Sequence, residues 1–114
     1  MGMQIIALTP DFAVSPQLLA EDFAWVSVQG FKTLINNRPD GEGGDAQPTS
    51  HALEEAARAA GLHYVYLPVV SGAITPEQVQ ALHNVLAAAP KPMLAFCRSG
   101  ARSAQLFGLA QQLG

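Results

Sequence analysis

The sequence predicts an α/β domain with a mostly parallel central sheet flanked by helices, and three observations carry that reading. Apolar, β-rich segments at Phe31–Asn36, His63–Leu67 and Pro92–Phe96 recur about every 30 residues with a helical stretch between each pair, the spacing of βαβ units. Capping residues open or close those helical stretches. Of the 114 residues, 49% are hydrophobic and 13% charged, enough apolar side chains to cover a sheet on both faces.

The elements follow in order. Gln4–Leu8 reads as a short apolar strand and Phe12–Val14 as another. Leu19, Phe23 and Val26 recur at helical spacing, Trp25 is expected to pack this first helix, and Gly30 stands where a helix ends. Phe31–Asn36 is a buried strand. The stretch from Asn36 to Asp45 is rich in Gly, Asn, Asp and Pro and is a long loop, either a plain surface connection or a binding loop. Thr49 or Ser50 caps a helix through Ala60, which Gly61 ends, and His63–Leu67 is β-branched and aromatic enough for a strand. Thr75, Pro76 and Gln78 supply an N-cap, a proline at the first helical position and a capping-box partner, while Glu77 complements the helix dipole. Val79, Leu82 and Leu86 form the stripe of that helix. Pro92–Phe96 is a core strand, and Ser103–Leu113 a last helix with Leu106, Leu109, Ala110 and Leu113 on one face. Right-handed crossovers then bring the loops after Asn36, Leu67 and Phe96 to one sheet edge, where ligands bind in open α/β sheets.

Composition narrows the function classes. Six basic and nine acidic residues give a net charge of −3, so no nucleic-acid partner is expected. No apolar run reaches the roughly 18 residues of a membrane span, so no membrane partner is expected either. The start at Met1-Gly2-Met3-Gln4 lacks the basic region of a signal peptide, and a cytoplasmic location is expected. One cysteine excludes an internal disulfide and a multi-cysteine zinc site; His51, His63 and His83 show no ligand spacing and default to structural positions. No metal or cofactor is expected, and residues 1–114 are read as a single domain.

The chemistry concentrates in Cys97-Arg98-Ser99-Gly100-Ala101-Arg102-Ser103. A lone buried cysteine is most often a small apolar side chain. Here it ends a buried strand and is followed by a tight Gly-containing loop and by Arg-Ser at a helix start. A helix N-terminus offers unpaired N–H groups and the positive end of a dipole, and a chain curled from Cys97 to Arg102 turns its amides inward as an anion nest. The same field lowers the thiol pKa and makes Cys97 a thiolate nucleophile. Arg102 adds a planar fork matched to a tetrahedral oxyanion, and Ser103 can donate to the thiolate. Ser99, Gly100 and Ala101 line the nest as substrate-binding positions. Arg98 either assists the anion there or is a solvated arginine, and Arg38, with Asp40 on a loop that opens on the same edge, either contacts substrate or pins the Arg-Pro-Asp-Gly turn.

This loop resembles the active loop of single-domain rhodaneses, whose cysteine carries a persulfide, and also the cysteine-phosphatase loop. The latter has five residues between Cys and Arg and usually a His before the Cys; this chain has four, and Phe96 in the His position. Outside the loop the rhodanese likeness fails, since no acidic strand segment followed by a Gly-His-Ile-like turn is present. The rest of the chain is similar to a small bacterial family, the phosphatase-like domain of beta-lactamase hydrolase-like proteins (DUF442), through Phe31–Glu42 (FKTLINNRPDGE), Tyr66–Gln78 (YLPVVSGAITPEQ) and Cys97–Ser103 (CRSGARS). The resemblance implies a dual-specificity-phosphatase-like fold and either phosphatase or sulfurtransferase activity.

Phosphatases of that fold carry a general-acid Asp on the loop after the strand at His63–Leu67, but Pro68–Ile74 holds no carboxylate here. Asp40 and Glu42, on the neighbouring loop, are the substitutes, with Asp40 the first candidate. Transfer of sulfur from thiosulfate releases sulfite and needs no acid. The missing acid and the short loop favour sulfur transfer, whereas the overall resemblance favours hydrolysis; the first reading is a hydrolase acting on a phosphate ester through phosphocysteine. The alternatives are a rhodanese-like sulfurtransferase with a persulfide on Cys97, and a noncatalytic anion-binding module. In each, the ligand is a small anion.

Overall fold

A strand covered by helices on both faces is buried along its whole length and mostly apolar, and three strands of this chain are. Strands β2 (Phe12–Ser15), β3 (Thr33–Asn36) and β5 (Met93–Phe96) are buried at every position, whereas β1 (Ile6–Thr9) and β4 (His63–Tyr66) are partly exposed. The computed structural model describes residues 4–114; the Met1–Met3 start lies outside the described residues. The five strands form one sheet in the order β1-β2-β5-β3-β4, so the exposed strands are the edges. The pairs β2–β5, β5–β3 and β3–β4 are parallel, and only β1 runs antiparallel, as a hairpin with β2.

Alternation along the strands splits the core into two layers. Met93 and Ala95 of β5, with Ile35 of β3, face helices α3 (Pro76–Ala88) and α4 (Ala101–Gln111). Leu94 and Phe96, with Leu34, face helices α1 (Phe23–Val28) and α2 (Ser50–Ala59). Thr49 is the cap of α2, accepting from the Ala52 N–H at 3.2 Å, and the Thr75–Gln78 capping box is formed as its sequence predicts. Among the described residues no helix is long and apolar enough to cross a membrane.

Four expectations need correction. The first strand runs Ile6–Thr9 rather than from Gln4, because it is defined by pairing with β2 (Ile6 opposite Val14) and not by hydropathy. Helix α1 begins at Phe23: Leu19 is extended, and its N–H donates to Asp22 Oδ2 at 2.8 Å across a short 3₁₀ turn. That helix buries Phe23 and Val26, three residues apart, which leaves Trp25 on the outer side and 42% exposed. Helix α4 starts at Ala101, two residues early, and ends at Gln111, so Leu113 lies past its end and Phe107 takes the core position instead. The Phe107 ring stacks on Phe12 with centroids 4.1 Å apart.

Parallel register sets the functional edge. Phe96 pairs with both Ser15 and Asn36, and Asn36 pairs with Tyr66, so β2, β3, β4 and β5 all end level with one another. The segments leaving Ser15, Asn36, Tyr66 and Phe96 share that edge.

Candidate active site

Cys97 follows the last residue of the central strand and is buried. The chain then reverses through Gly100, whose φ of +95° is left-handed, and enters α4. A side chain at position 100 would be strained by that φ and would put its Cβ 3.3 Å from the Ser15 carbonyl, so glycine lets the loop close against β2. The curl returns the Gly100 N–H to the Cys97 sulfur at 3.1 Å. Burial pushes the thiol pKa up, but the Ser103 amide and hydroxyl and the Gly100 and Ser99 amides outweigh it, leaving the thiol below its ordinary range.

Arg102, on the first turn of α4, is almost fully buried. Its Nη1 donates to Glu42 Oε2 at 2.8 Å and to the Val69 carbonyl at 3.0 Å, and its Nη2 donates to Glu42 Oε1 at 3.2 Å. Its Nε–H is buried with no partner among the described residues. A buried donor without a partner is costly, and an oxyanion in the loop is a group that would satisfy it. The hydrogen bonds from Arg102 hold the Glu42 carboxyl below the usual carboxylate range despite the opposing effect of burial, with Arg38 adding to them.

The segment after β3 is pinned rather than loose. Asn37 is buried; its Nδ2 donates to the Leu67 carbonyl at 2.8 Å and its Oδ1 accepts from the Ser103 hydroxyl at 2.8 Å. Arg38 donates from Nε to Glu42 Oε1 at 2.9 Å and from Nη1 to Gln17 Oε1 at 3.2 Å. Gly43 packs so close behind it that a Cβ there would lie 2.8 Å from the guanidinium. Asp40 is turned another way. Its Oδ1 accepts from the Ser50 N–H at 2.7 Å, in the first turn of α2, and its own N–H donates to the Tyr66 hydroxyl at 2.9 Å.

Arg38, Glu42, Ser71, Arg98, Ser99 and Arg102 line one open cleft of about 890 Å³ beside the nest. Arg98 and Ser99 are exposed at the loop tip, and Ala101 is exposed at the start of α4. Of the residues singled out in the sequence, the structure gathers Arg38, Glu42, Arg98, Ser99 and Arg102 around this cleft and directs Asp40 Oδ1 to α2. Sequence reasoning missed Asn37 and Gln17 as supports and the pairing of Glu42 with Arg102. The available signal for Asn37 was a polar pair, Asn36-Asn37, directly after the apolar Leu34-Ile35 of a buried strand.

Comparison with known proteins agrees with this architecture. Beta-lactamase hydrolase-like proteins are 35% identical over 109 residues in Xylella fastidiosa strain Temecula1 and 35% over 111 residues in Agrobacterium fabrum, covering 96% and 97% of this chain. The chain spans only about a quarter of the length of those relatives, 25% and 26%. A crystal structure of a candidate phosphatase from Neisseria meningitidis superposes with a TM-score of 0.84 at 32% identity, covering 91% of this chain and 73% of that one. A DUF442 protein from Shewanella putrefaciens shares the fold, with a TM-score of 0.81 at 22% identity over 96% of this chain and 72% of its own. The family profile "Beta-lactamase hydrolase-like protein, phosphatase-like domain" matches residues 4–114, and the chain belongs to that family.

Proposed function

We propose that this domain is a cysteine-dependent phosphatase. The Cys97 thiolate attacks the phosphorus of a bound phosphate ester, the ester oxygen departs with its electron pair, and water cleaves the phosphocysteine to release phosphate and restore the thiolate. The loop amides and Arg102 hold the three nonbridging oxygens, and Ser103 stabilises the thiolate as it leaves. The observation that carries this reading is the bare, buried Nε–H of Arg102 on the first turn of the helix that the Cys97 loop enters, together with a thiol whose pKa is lowered by loop hydrogen bonds. Asp40 serves in this reading as a support for α2, because its carboxylate is committed to the Ser50 amide.

The lack of a carboxylate in Pro68–Ile74 favours one second reading, sulfur transfer. There the thiolate attacks the sulfane sulfur of thiosulfate, the S–S bond breaks, and sulfite leaves with the electron pair while a persulfide remains on Cys97. Mass spectrometry of the protein after acid quench separates the two, since phosphocysteine adds about 80 Da and a persulfide about 32 Da. A gain of about 80 Da on Cys97 with an aryl phosphate is the expected result. A persulfide with thiosulfate and no phosphoryl adduct transfers the domain to sulfur chemistry. No adduct with either leaves an anion-binding module.

A further inference from the structure

Half of the cationic side chains of a chain with net charge −3 line one cleft: Arg38, Arg98 and Arg102 are three of its six Lys and Arg residues. Glu42 is the one acidic residue that shares the lining, so three positive charges meet one negative. The phosphoryl group that Cys97 attacks is served by the loop amides and by Arg102. Arg98 is then left over. It is exposed, forms no ion pair among the described residues, and faces a cleft with room for more than one tetrahedral anion. Ser71 and Ser99 add hydroxyls to the same walls.

The second observation concerns the departing group. The loop after β4 lacks a carboxylate. Among the described residues the two nearest ones are engaged, Asp40 through Oδ1 and Glu42 through both oxygens, so the site suits a leaving group that departs without a proton. A phosphate monoester is such a group, with its second pKa near about 6.

We infer that the substrate is a phosphoanhydride, a diphosphate whose terminal phosphoryl sits in the Cys97 loop while Arg98, with the field of Arg38, holds the inner phosphate that leaves. This rests on the phosphatase reading and specifies its substrate class. The Cys97 thiolate forms the S–P bond, the bridging P–O bond breaks, and its electron pair departs on the inner phosphate, which leaves as a monoester dianion without taking up a proton. Water then attacks phosphorus, giving dihydrogen phosphate and the free thiolate, so that atoms and charge balance in both steps.

The test compares kcat/KM for methyl diphosphate, para-nitrophenyl phosphate and methyl phosphate, in the wild-type chain and in Arg98→Ala. The expected order is methyl diphosphate first, the aryl ester second and methyl phosphate far behind. Arg98→Ala is expected to lower the ratio of the diphosphate rate to the aryl rate by about 10-fold or more, the value of a hydrogen bond to a charged group. Hydrolysis of the aryl ester with no preference for the diphosphate, or an equal loss on both in Arg98→Ala, overturns the inference and leaves the phosphatase reading standing. Failure to hydrolyse any of the three, with no phosphocysteine trapped, removes that reading itself.

Discussion

Arg102 and Glu42 meet through two hydrogen bonds, Nη1 to Oε2 at 2.8 Å and Nη2 to Oε1 at 3.2 Å, although 60 residues separate them in the chain. This pairing fixes the guanidinium plane with Nε–H left bare. Glu42→Gln is therefore expected to lower kcat by about 10-fold, through loss of a charge-assisted contact that orients Arg102. The same variant should bind inorganic phosphate more tightly, because a negative charge has left the cleft. Steady-state kinetics with phosphate as competitive inhibitor reads both effects, and a loss of kcat together with weaker phosphate binding would make Glu42 a general support of the fold. The pH dependence has a definite sign. A carboxyl held below its usual range contributes stability above the ordinary carboxylate pKa, and that contribution fades as pH falls through the lowered value.

The thiol of Cys97 should be alkylated by iodoacetamide with a pH midpoint below that of a free cysteine. The single proton of the Ser103 hydroxyl goes to Asn37 Oδ1 at 2.8 Å here and reaches the sulfur only by turning toward the thiolate, so Ser103→Ala should move that midpoint modestly upward. Between the folded and unfolded pKa values the folded chain binds fewer protons, so this group makes folding more favourable as pH rises through that window. An unchanged midpoint in Ser103→Ala would confine the serine to its contact with Asn37.

Arg102→Lys should cost about 10² to 10³-fold in kcat on any phosphate ester, the range seen when one oxyanion donor is removed. An ammonium cannot donate to Glu42 in a two-point contact and still present a separate donor to the oxyanion. Steady-state rates on para-nitrophenyl phosphate measure it; a loss under threefold would detach Arg102 from the reacting phosphoryl.

Asp40→Ala removes the acceptor for the Ser50 amide and should destabilise the chain by about 0.5–2 kcal/mol, as loss of a helix cap does. Activity on esters with good and poor leaving groups should then change by the same factor. Asp40→Asn, which keeps an oxygen at that position, should recover most of the stability by thermal melting. A selective loss on poor leaving groups in Asp40→Asn would restore Asp40 as the general acid.

What could be read from the sequence divides along the distance between partners. The Cys97–Ser103 loop is local: a buried strand, a glycine that must turn left-handed at position 100 and an Arg-Ser helix start lie within seven residues, so spacing alone places them. The β3, β4 and β5 strands were legible for a similar reason, since each is a short run of β-formers bounded by turn or helix signals. Glu42 with Arg102 and Asn37 with Ser103 were not legible, because each pair spans 60 residues or more and depends on which strand lies next to which. The insertion of β5 between β2 and β3 brings those pairs together, and nothing in the local pattern of any strand encodes that order. The contact of Asp40 was illegible for the opposite reason. Its position after an active-edge strand is correct, but the first turn of α2 lies closer at hand and takes its carboxylate.

The placement of Cys97 at the end of β5 has a consequence for how the protein fails. β5 is flanked by a parallel partner on each side and covered by both core layers, so its amides should exchange with deuterium only when the whole sheet opens. A sulfur buried there, open to small reagents in the folded chain, is shielded from bulky ones until that opening. In a urea titration, loss of the near-ultraviolet signal and exposure of the thiol to a slow, bulky reagent should coincide at one midpoint, and the nucleophile should keep its setting until cooperative unfolding removes it.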